Sequence, residues 1–280
     1  MAALFRGVVA ARSLLRRERT ELVIGFGGYA AAGACLAGWS LGIPVVIHEA
    51  NAVLGNANRF LIPFARRVCV AFEEASPAFA KARVIRTGTP CRPVVARKAP
   101  ASARLRILVI GGSQGSPHLN REAPRVIAAL KQSREIEVLH LTGEQDPATV
   151  ERSYRCAGIE AHAEKFVADM PARYAEADFV ISCAGGVCLA EIAAWTLPAL
   201  LVPLAAAAGN HQVENARAFS LHTGTPWVRE SDWDAAREAH RIGDLLSDPA
   251  ALDGIRRRLA AWAIEDSSAR MIGICEELRR

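Results

Sequence analysis

Paired cysteines are missing from this sequence: its seven cysteines form no Cys-x-x-Cys pair and no set of histidines accompanies them. A zinc site draws four side chains to one point and so needs clustered ligands. Scattered thiols in odd number fit reduced cysteines better than a disulfide framework, and no metal or cofactor is expected. Aromatic residues make up only 6% of the chain. None is interleaved with basic residues as a base-stacking surface requires, which argues against a nucleic-acid partner. A long unbroken apolar run is lacking too. Leu22 to Ile47 carries no charged residue, but Gly25, Gly27, Gly28, Gly33, Gly38, Gly42 and Pro44 divide it into strand, loop, helix and strand rather than one membrane span. Arginines run straight through the apolar positions of residues 1–19 and no small-residue cleavage site follows an apolar core, so this segment is not expected to be a signal peptide.

What is present is a soluble, globular composition, 51% hydrophobic and 22% charged over 280 residues. That length suits two α/β domains better than one. The net charge of +5 is unevenly spread: residues 1–100 hold 14 Lys/Arg against 5 Asp/Glu, residues 101–280 hold 20 against 24. A basic N-terminal part suits an anionic membrane or a phosphorylated substrate. Within it, Leu4, Phe5, Val8, Val9, Leu14 and Leu15 alternate with Arg6, Arg12, Arg16, Arg17 and Arg19 as a basic amphipathic helix. Such a helix either packs on a sheet or lies on an anionic membrane surface.

Beyond that helix, short apolar runs alternate with helical patterns. Strands are expected at Leu22–Gly25, Pro44–His48, Arg67–Ala71 and Val84–Thr87, with helices at Ala30–Leu41 and Asn56–Ala65. The βαβαβ order implies parallel strands joined by crossover helices. A Pro-, Ala- and Arg-rich stretch over residues 93–103 reads as a linker. A second series follows with strands at Leu105–Ile110, Ile136–Leu141, Ile159–Ala163, Phe179–Ser182 and Ala199–Val202. The tail from Asp232 reads as helical, with Leu245, Leu252, Ile255, Leu259, Trp262 and Ile272 spaced for one buried face. Three parts result: residues 1–92 as a partial Rossmann-like domain, the linker, and residues 104–280 as a second Rossmann-like domain with a helical tail.

Three turns could carry chemistry. Gly111 to Gly115 joins a strand to a helix without a Gly-x-Gly-x-x-Gly fingerprint; its amides and small residues fit either a tight turn or close approach of an anion. Cys183 to Cys188 leads into a helix whose first amides, at Gly186, Val187 and Cys188, suit a diphosphate. Glu191 follows one turn later, where a carboxylate either complements the helix dipole or accepts hydrogen bonds from a ribose diol. The third is Gly209 to Asn215. There Gln212 could read sugar hydroxyls, while Asn210 is explained by helix capping alone.

Together these turns resemble the MurG family of glycosyltransferases from the first residue to the last. The resemblance is carried by Gly25-Phe26-Gly27-Gly28-Tyr29, Trp39 to Pro44, His48-Glu49-Ala50-Asn51, Gly111 to Gly115 with Leu119-Asn120, Phe166 to Met170, Glu191 to Ala194 and His211 to Ala216. It implies a glycosyltransferase-B fold of two Rossmann-like domains. It also implies inverting transfer of N-acetylglucosamine from UDP-N-acetylglucosamine to an undecaprenyl-linked muramyl-pentapeptide, at the cytoplasmic face of the bacterial inner membrane, whose anionic surface becomes a partner. Carried onto this chain, Ser113 and residues Gly186, Val187, Cys188, Leu189, Ala190 and Glu191 lie at the nucleotide and diphosphate, with Glu191 at the ribose. Gln212 lies at the sugar hydroxyls, Val167 offers its backbone to uracil, Asn51 reaches the sugar, and Arg92 stands near the nucleotide or diphosphate.

Several positions depart from the family: Ala50 for a common Gln, Cys183 for Arg, Ala184 for Ser and Cys188 for Thr. Family members also open with a further half-domain carrying a Gly-Gly-Thr-Gly-Gly-His loop, so the resemblance implies a first domain entered partway. Without that loop the catalytic base is unassigned, Glu49 being the one contributor to test. Two other readings stay open: a non-catalytic UDP-sugar-binding fragment or subunit that needs a partner, and another UDP-sugar enzyme of the same fold, such as an epimerase or lipid galactosyltransferase.

Overall fold

The computed structural model describes residues 2–78, 83–96, 104–131 and 135–279, and residues 97–103 of the expected linker fall outside them. The chain forms two compact units, Met1–Cys91 with Ile264–Arg280, and Arg92–Ala263.

The first unit begins with helix α1 (Ala2–Arg17), strand β1 (Val23–Gly25), helix α2 (Gly28–Ser40), strand β2 (Val45–Glu49), helix α3 (Asn56–Leu61), and strands β3 (Arg67–Val70) and β4 (Val84–Arg86). The charge-free stretch is thus β1-α2-β2, and no described helix is long and apolar enough to cross a membrane. The four strands are parallel in the order β1-β2-β3-β4. Side chains alternate between the two faces of a strand. Val45 and Ile47 of β2 accordingly join Val68 and Val70 of β3 in one core with Cys35 of α2, while Val46 and Cys69 face the other way. Helix α1 packs chiefly on α2, where Gly7 and Gly33 let the two backbones approach, and its Leu15 packs against the core of the sheet.

The second unit holds β5 (Leu105–Ile110), α4 (Pro117–Leu130), β6 (Ile136–Leu141), α5 (Pro147–Cys156), β7 (Glu160–Glu164), α6 (Met170–Glu176), β8 (Phe179–Ser182), α7 (Gly186–Ala194), β9 (Ala199–Leu201), α8 (His211–Thr223), α9 (Ala235–Ser247) and α10 (Pro249–Trp262). Its sheet is parallel throughout in the order β7-β6-β5-β8-β9. The chain runs outward from β5 in one direction and then, from β8, in the other. A crevice therefore opens beyond the carboxyl ends of β5 and β8, where ligands bind in such sheets. Most of the helices start on a side-chain cap, as at Ser116, Asp146, Asp169, Asp234 and Asp248, but α7 starts on Gly185 and has none.

The expected helical tail divides. Helices α9 and α10 stay with the second unit, whereas α11 (Ser267–Arg279) belongs to the first. Met271 and Ile274 of α11 bury against Val46 and Cys69, closing the second face of that sheet. Ile272, expected on the buried face, is exposed. The break at residues 263–266 resets the helical phase, so one periodic stripe cannot run through both helices.

Candidate functional site

A cavity of about 520 Å³ opens in the second unit, lined by the Gly111–Gly115 loop, the 165–167 segment, the turn from Cys183 to Cys188, and the side chains of Arg92, Tyr174, Glu191 and Gln212. It lies at the switch between β5 and β8.

Two glycines of the first loop serve the chain itself rather than a ligand. A Cβ at Gly115, whose φ is +80°, would collide with the Thr142 carbonyl oxygen, and one at Gly111 would collide with the Ser116 amide. The loops after β5 and β6 therefore pass in direct backbone contact, which favours the tight-turn alternative at these two positions. Ser113, between them, is exposed at the cavity wall.

Helix α7 begins with its first amides unspent. Its first backbone bond runs from Leu189 N to Gly185 O at 3.0 Å, and its N-cap, Gly185, supplies no side-chain cap. The N–H groups of Gly186, Val187 and Cys188 are the donors that a helix start leaves without an intrahelical acceptor. Leu189 and Ala190 do not line the cavity; Leu189 is fully buried in the core. Of the six-residue run 186–191 expected at the nucleotide and diphosphate, Gly186, Val187, Cys188 and Glu191 line the cavity. The Cys188 thiol lies 2.9 Å from the Ser182 hydroxyl, and burial raises the pKa of both Cys188 and Cys183.

Glu191 is 5% exposed, yet both its oxygens are engaged. Arg92 Nη1 donates to Oε1 at 3.1 Å, and the Tyr174 hydroxyl donates to Oε2 at 3.0 Å. Tyr174 is buried and stacks on Trp195 with ring centroids 6.0 Å apart. Sequence reading missed Tyr174 because it sits 17 residues from Glu191 on a different helix, and no local pattern joins the two.

Gln212 spends its acceptor on the backbone. Its Oε1 takes the amide hydrogens of Ala184 and Leu204, each at 3.0 Å. Only the Nε2 donor side is left to meet a ligand, so the two-way reading of sugar hydroxyls expected from an amide narrows to donation. Asn215, one helical turn on, donates to Ala184 O at 3.0 Å. Asn210 adopts the left-handed region with φ 59° and makes no side-chain cap, against the capping alternative. Val167 is buried with its neighbour Phe166 exposed, both lining the cavity.

Asn51 and Glu49 belong to the first unit. Glu49 Oε1 accepts from the Asn51 amide and from Asn51 Nδ2, each at 3.0 Å. Its Oε2 accepts from Gly55 N and Asn58 Nδ2, each at 2.9 Å. Four donors occupy the acceptor capacity of one carboxylate. Glu49 is therefore a scaffold for the loop after β2, with no free lone pair for a base. Among the described residues no group of His, Cys, Asp and Glu is arranged to hold a metal ion.

Residues 106–253 match the Glycosyltransferase family 28 C-terminal domain and residues 1–70 match the Glycosyltransferase family 28 N-terminal domain. A UDP-N-acetylglucosamine–N-acetylmuramyl-(pentapeptide) pyrophosphoryl-undecaprenol N-acetylglucosamine transferase of Pseudomonas entomophila is 38% identical over 98% of this chain and 77% of its own length. The transferase of the same name from Pseudomonas syringae pv. tomato is 36% identical over 98% of this chain and 78% of its own. Among solved structures, MurG of Acinetobacter baumannii superposes with a TM-score of 0.79 at 27% identity, covering 98% of this chain and 80% of that one.

Proposed function

The chain belongs to glycosyltransferase family 28, and from that membership we propose that it transfers N-acetylglucosamine from UDP-N-acetylglucosamine to the undecaprenyl-linked muramyl-pentapeptide of peptidoglycan synthesis. The observation that carries the reading is the cavity in which the uncapped start of α7 and the Glu191 carboxylate stand together. The amides of Gly186, Val187 and Cys188 receive the diphosphate, and Ser113 and Arg92 stand beside it. Glu191 takes a ribose hydroxyl, the backbone at Val167 meets uracil, and Gln212 Nε2 donates to the sugar.

The chemistry follows from that placement. In an inverting transfer the acceptor hydroxyl oxygen bonds to the anomeric carbon on the face opposite UDP and releases its proton to solvent, the glycosidic bond to the diphosphate breaks, and UDP leaves with the bonding electrons. Charge then grows on the diphosphate, and amide donors already aimed at it stabilise the transition state more than the ground state.

The membrane enters through α1. Phe5, Val9 and Leu14 are exposed on it beside Arg6, Arg16 and Arg17, the make-up of a helix that lies on an anionic leaflet. This reading puts the enzyme at the cytoplasmic face of the inner membrane.

Calorimetry with UDP tests the donor site, and labelled UDP-N-acetylglucosamine with a short-chain lipid acceptor tests the reaction. UDP binding that is weakened on Gly186→Pro, which deletes the first of the α7 amides at a helix position that accepts proline, supports the reading. Unchanged binding in that variant would overturn it.

A further inference from the structure

Glu191 stands on the cavity wall, but a glutamate has three side-chain torsions, and a carboxylate free to swing presents a hydroxyl with a moving target. Recognition sites are held by neighbours whose own rotamers are locked. The neighbour here is Tyr174, whose ring is fixed by the stack on Trp195 and is 1% exposed. A core ring needs no hydroxyl, and burying one costs free energy unless it is hydrogen-bonded. The Tyr174 hydroxyl is spent on Glu191 Oε2, with the Cys188 thiol against it as well. Burial raises the Tyr174 pKa well above its ordinary value, so the hydroxyl keeps its proton and donates. The other oxygen, Oε1, is held by a partner of another kind. The Arg92 side chain is 44% exposed against 7% for the Glu191 side chain, and a half-solvated guanidinium gives up a partner more readily than a buried phenol does.

We propose that Tyr174 is a positioning residue of the nucleotide site: it pins Glu191 Oε2 so that Oε1 is held toward the cavity, where a ribose hydroxyl takes the place of the Arg92 guanidinium. This rests on the assignment of Glu191 to the ribose. It narrows that assignment to one committed and one exchangeable oxygen, in place of a carboxylate offered whole to the diol.

The test compares UDP with 2′,3′-dideoxy-UDP by calorimetry in the parent chain, Tyr174→Phe and Glu191→Ala. Phenylalanine keeps the stack on Trp195 and removes only the hydroxyl, and a thermal melt reports whether the fold is retained. Tyr174→Phe is expected to weaken UDP about tenfold while dideoxy-UDP changes less than about twofold. Glu191→Ala should weaken UDP at least as much. Equal losses for both nucleotides in Tyr174→Phe would mean that the pocket has merely loosened, and would overturn the proposal. So would a loss in Glu191→Ala with none in Tyr174→Phe, which leaves the ribose assignment standing and makes Tyr174 an ordinary core ring. If Glu191→Ala binds UDP as the parent does, the ribose assignment fails and the proposal fails with it.

Discussion

Gln212 holds Ala184 from one side, accepting its amide hydrogen at 3.0 Å, and the Leu204 amide binds the same oxygen at the same distance. Asn215 takes the Ala184 carbonyl from the next turn of α8. The turn that precedes α7 is therefore fastened by α8 at both ends of one residue, and side chains with the look of sugar contacts also act as backbone clamps.

Gln212→Ala leaves the buried Ala184 amide and the half-buried Leu204 amide unpaired, a buried one costing about 1–3 kcal/mol. We expect the variant to be less stable by roughly 2–4 kcal/mol in urea unfolding and to bind UDP weakly. Gln212→Glu keeps the acceptor and loses the Nε2 donor. It should retain stability and UDP binding while losing any extra affinity of UDP-N-acetylglucosamine over UDP. A Glu variant that prefers the sugar nucleotide as strongly as the parent would remove Gln212 from the sugar site.

The crossing of the loops after β5 and β6 makes a sharper stability prediction. Gly115→Ala combines a φ of +80° with a collision against the Thr142 carbonyl, whereas Gly112→Ala at φ +83° meets only the Cys183 sulfur at 3.3 Å. Left-handed backbone alone costs an alanine about 1–2 kcal/mol. Gly112→Ala should cost about that much, and Gly115→Ala should exceed it by about 2 kcal/mol or more through backbone displacement. Equal losses in chemical denaturation would show that the loops can separate at no cost.

His140 should impose a pH dependence on stability. It is buried on β6 with Nδ1 2.9 Å from the Tyr154 hydroxyl and Nε2 2.9 Å from Asn120 Oδ1. Asn120 Nδ2 donates to Thr142 O and Gln145 Oε1, so its Oδ1 is the acceptor and His140 Nε2 carries the proton. Burial pushes the His140 pKa down to about 3. Between roughly pH 6.5 and 3 the unfolded chain binds a proton that the folded one refuses, so this contribution is complete above about pH 6.5 and falls by about 1.4 kcal/mol per unit below it. From pH 7 to pH 5.5 the parent should lose about 1 kcal/mol more than His140→Gln. Parallel urea curves at the two pH values, with no difference between the chains, would contradict the assignment.

For the membrane, the structure separates the arginines of α1. Arg12 donates to the Ser40 carbonyl and hydroxyl and helps join α1 to α2, whereas Arg6, Arg16 and Arg17 lie exposed. Arg6→Glu with Arg16→Glu and Phe5→Ser should release the chain from anionic vesicles, each cation contributing about 1 kcal/mol near such a surface. The melting temperature should hardly move. Sedimentation with vesicles that is unaltered by the triple change would make α1 a packing helix only.

Much of the fold was legible because buried parallel strands read as continuous apolar runs. Leu105–Ile110, Ile136–Leu141 and Phe179–Ser182 stand where the sequence puts them, while the polar edge strand Glu160–Glu164 begins one residue later than its apolar neighbours suggest. The turns and Glu191 were visible as local motifs. What stayed hidden was non-local: the Tyr174 hydroxyl, the backbone clamp by Gln212 and Asn215, the loop crossing at Gly115 and the membership of α11 all depend on residues brought together from far along the chain.

That last feature bears on how the protein is made. Residues 92–263 leave the ribosome as one continuous block and can close their core as soon as α10 has emerged. The first unit cannot. Its sheet is synthesised early, but Val46 and Cys69 wait for Met271 and Ile274 before their face is covered. At ~5–20 residues per second, that face stays open to the cytosol for on the order of ten seconds or more. The unit translated second is thus finished first, and the nascent first unit is where a chaperone has an apolar surface to hold.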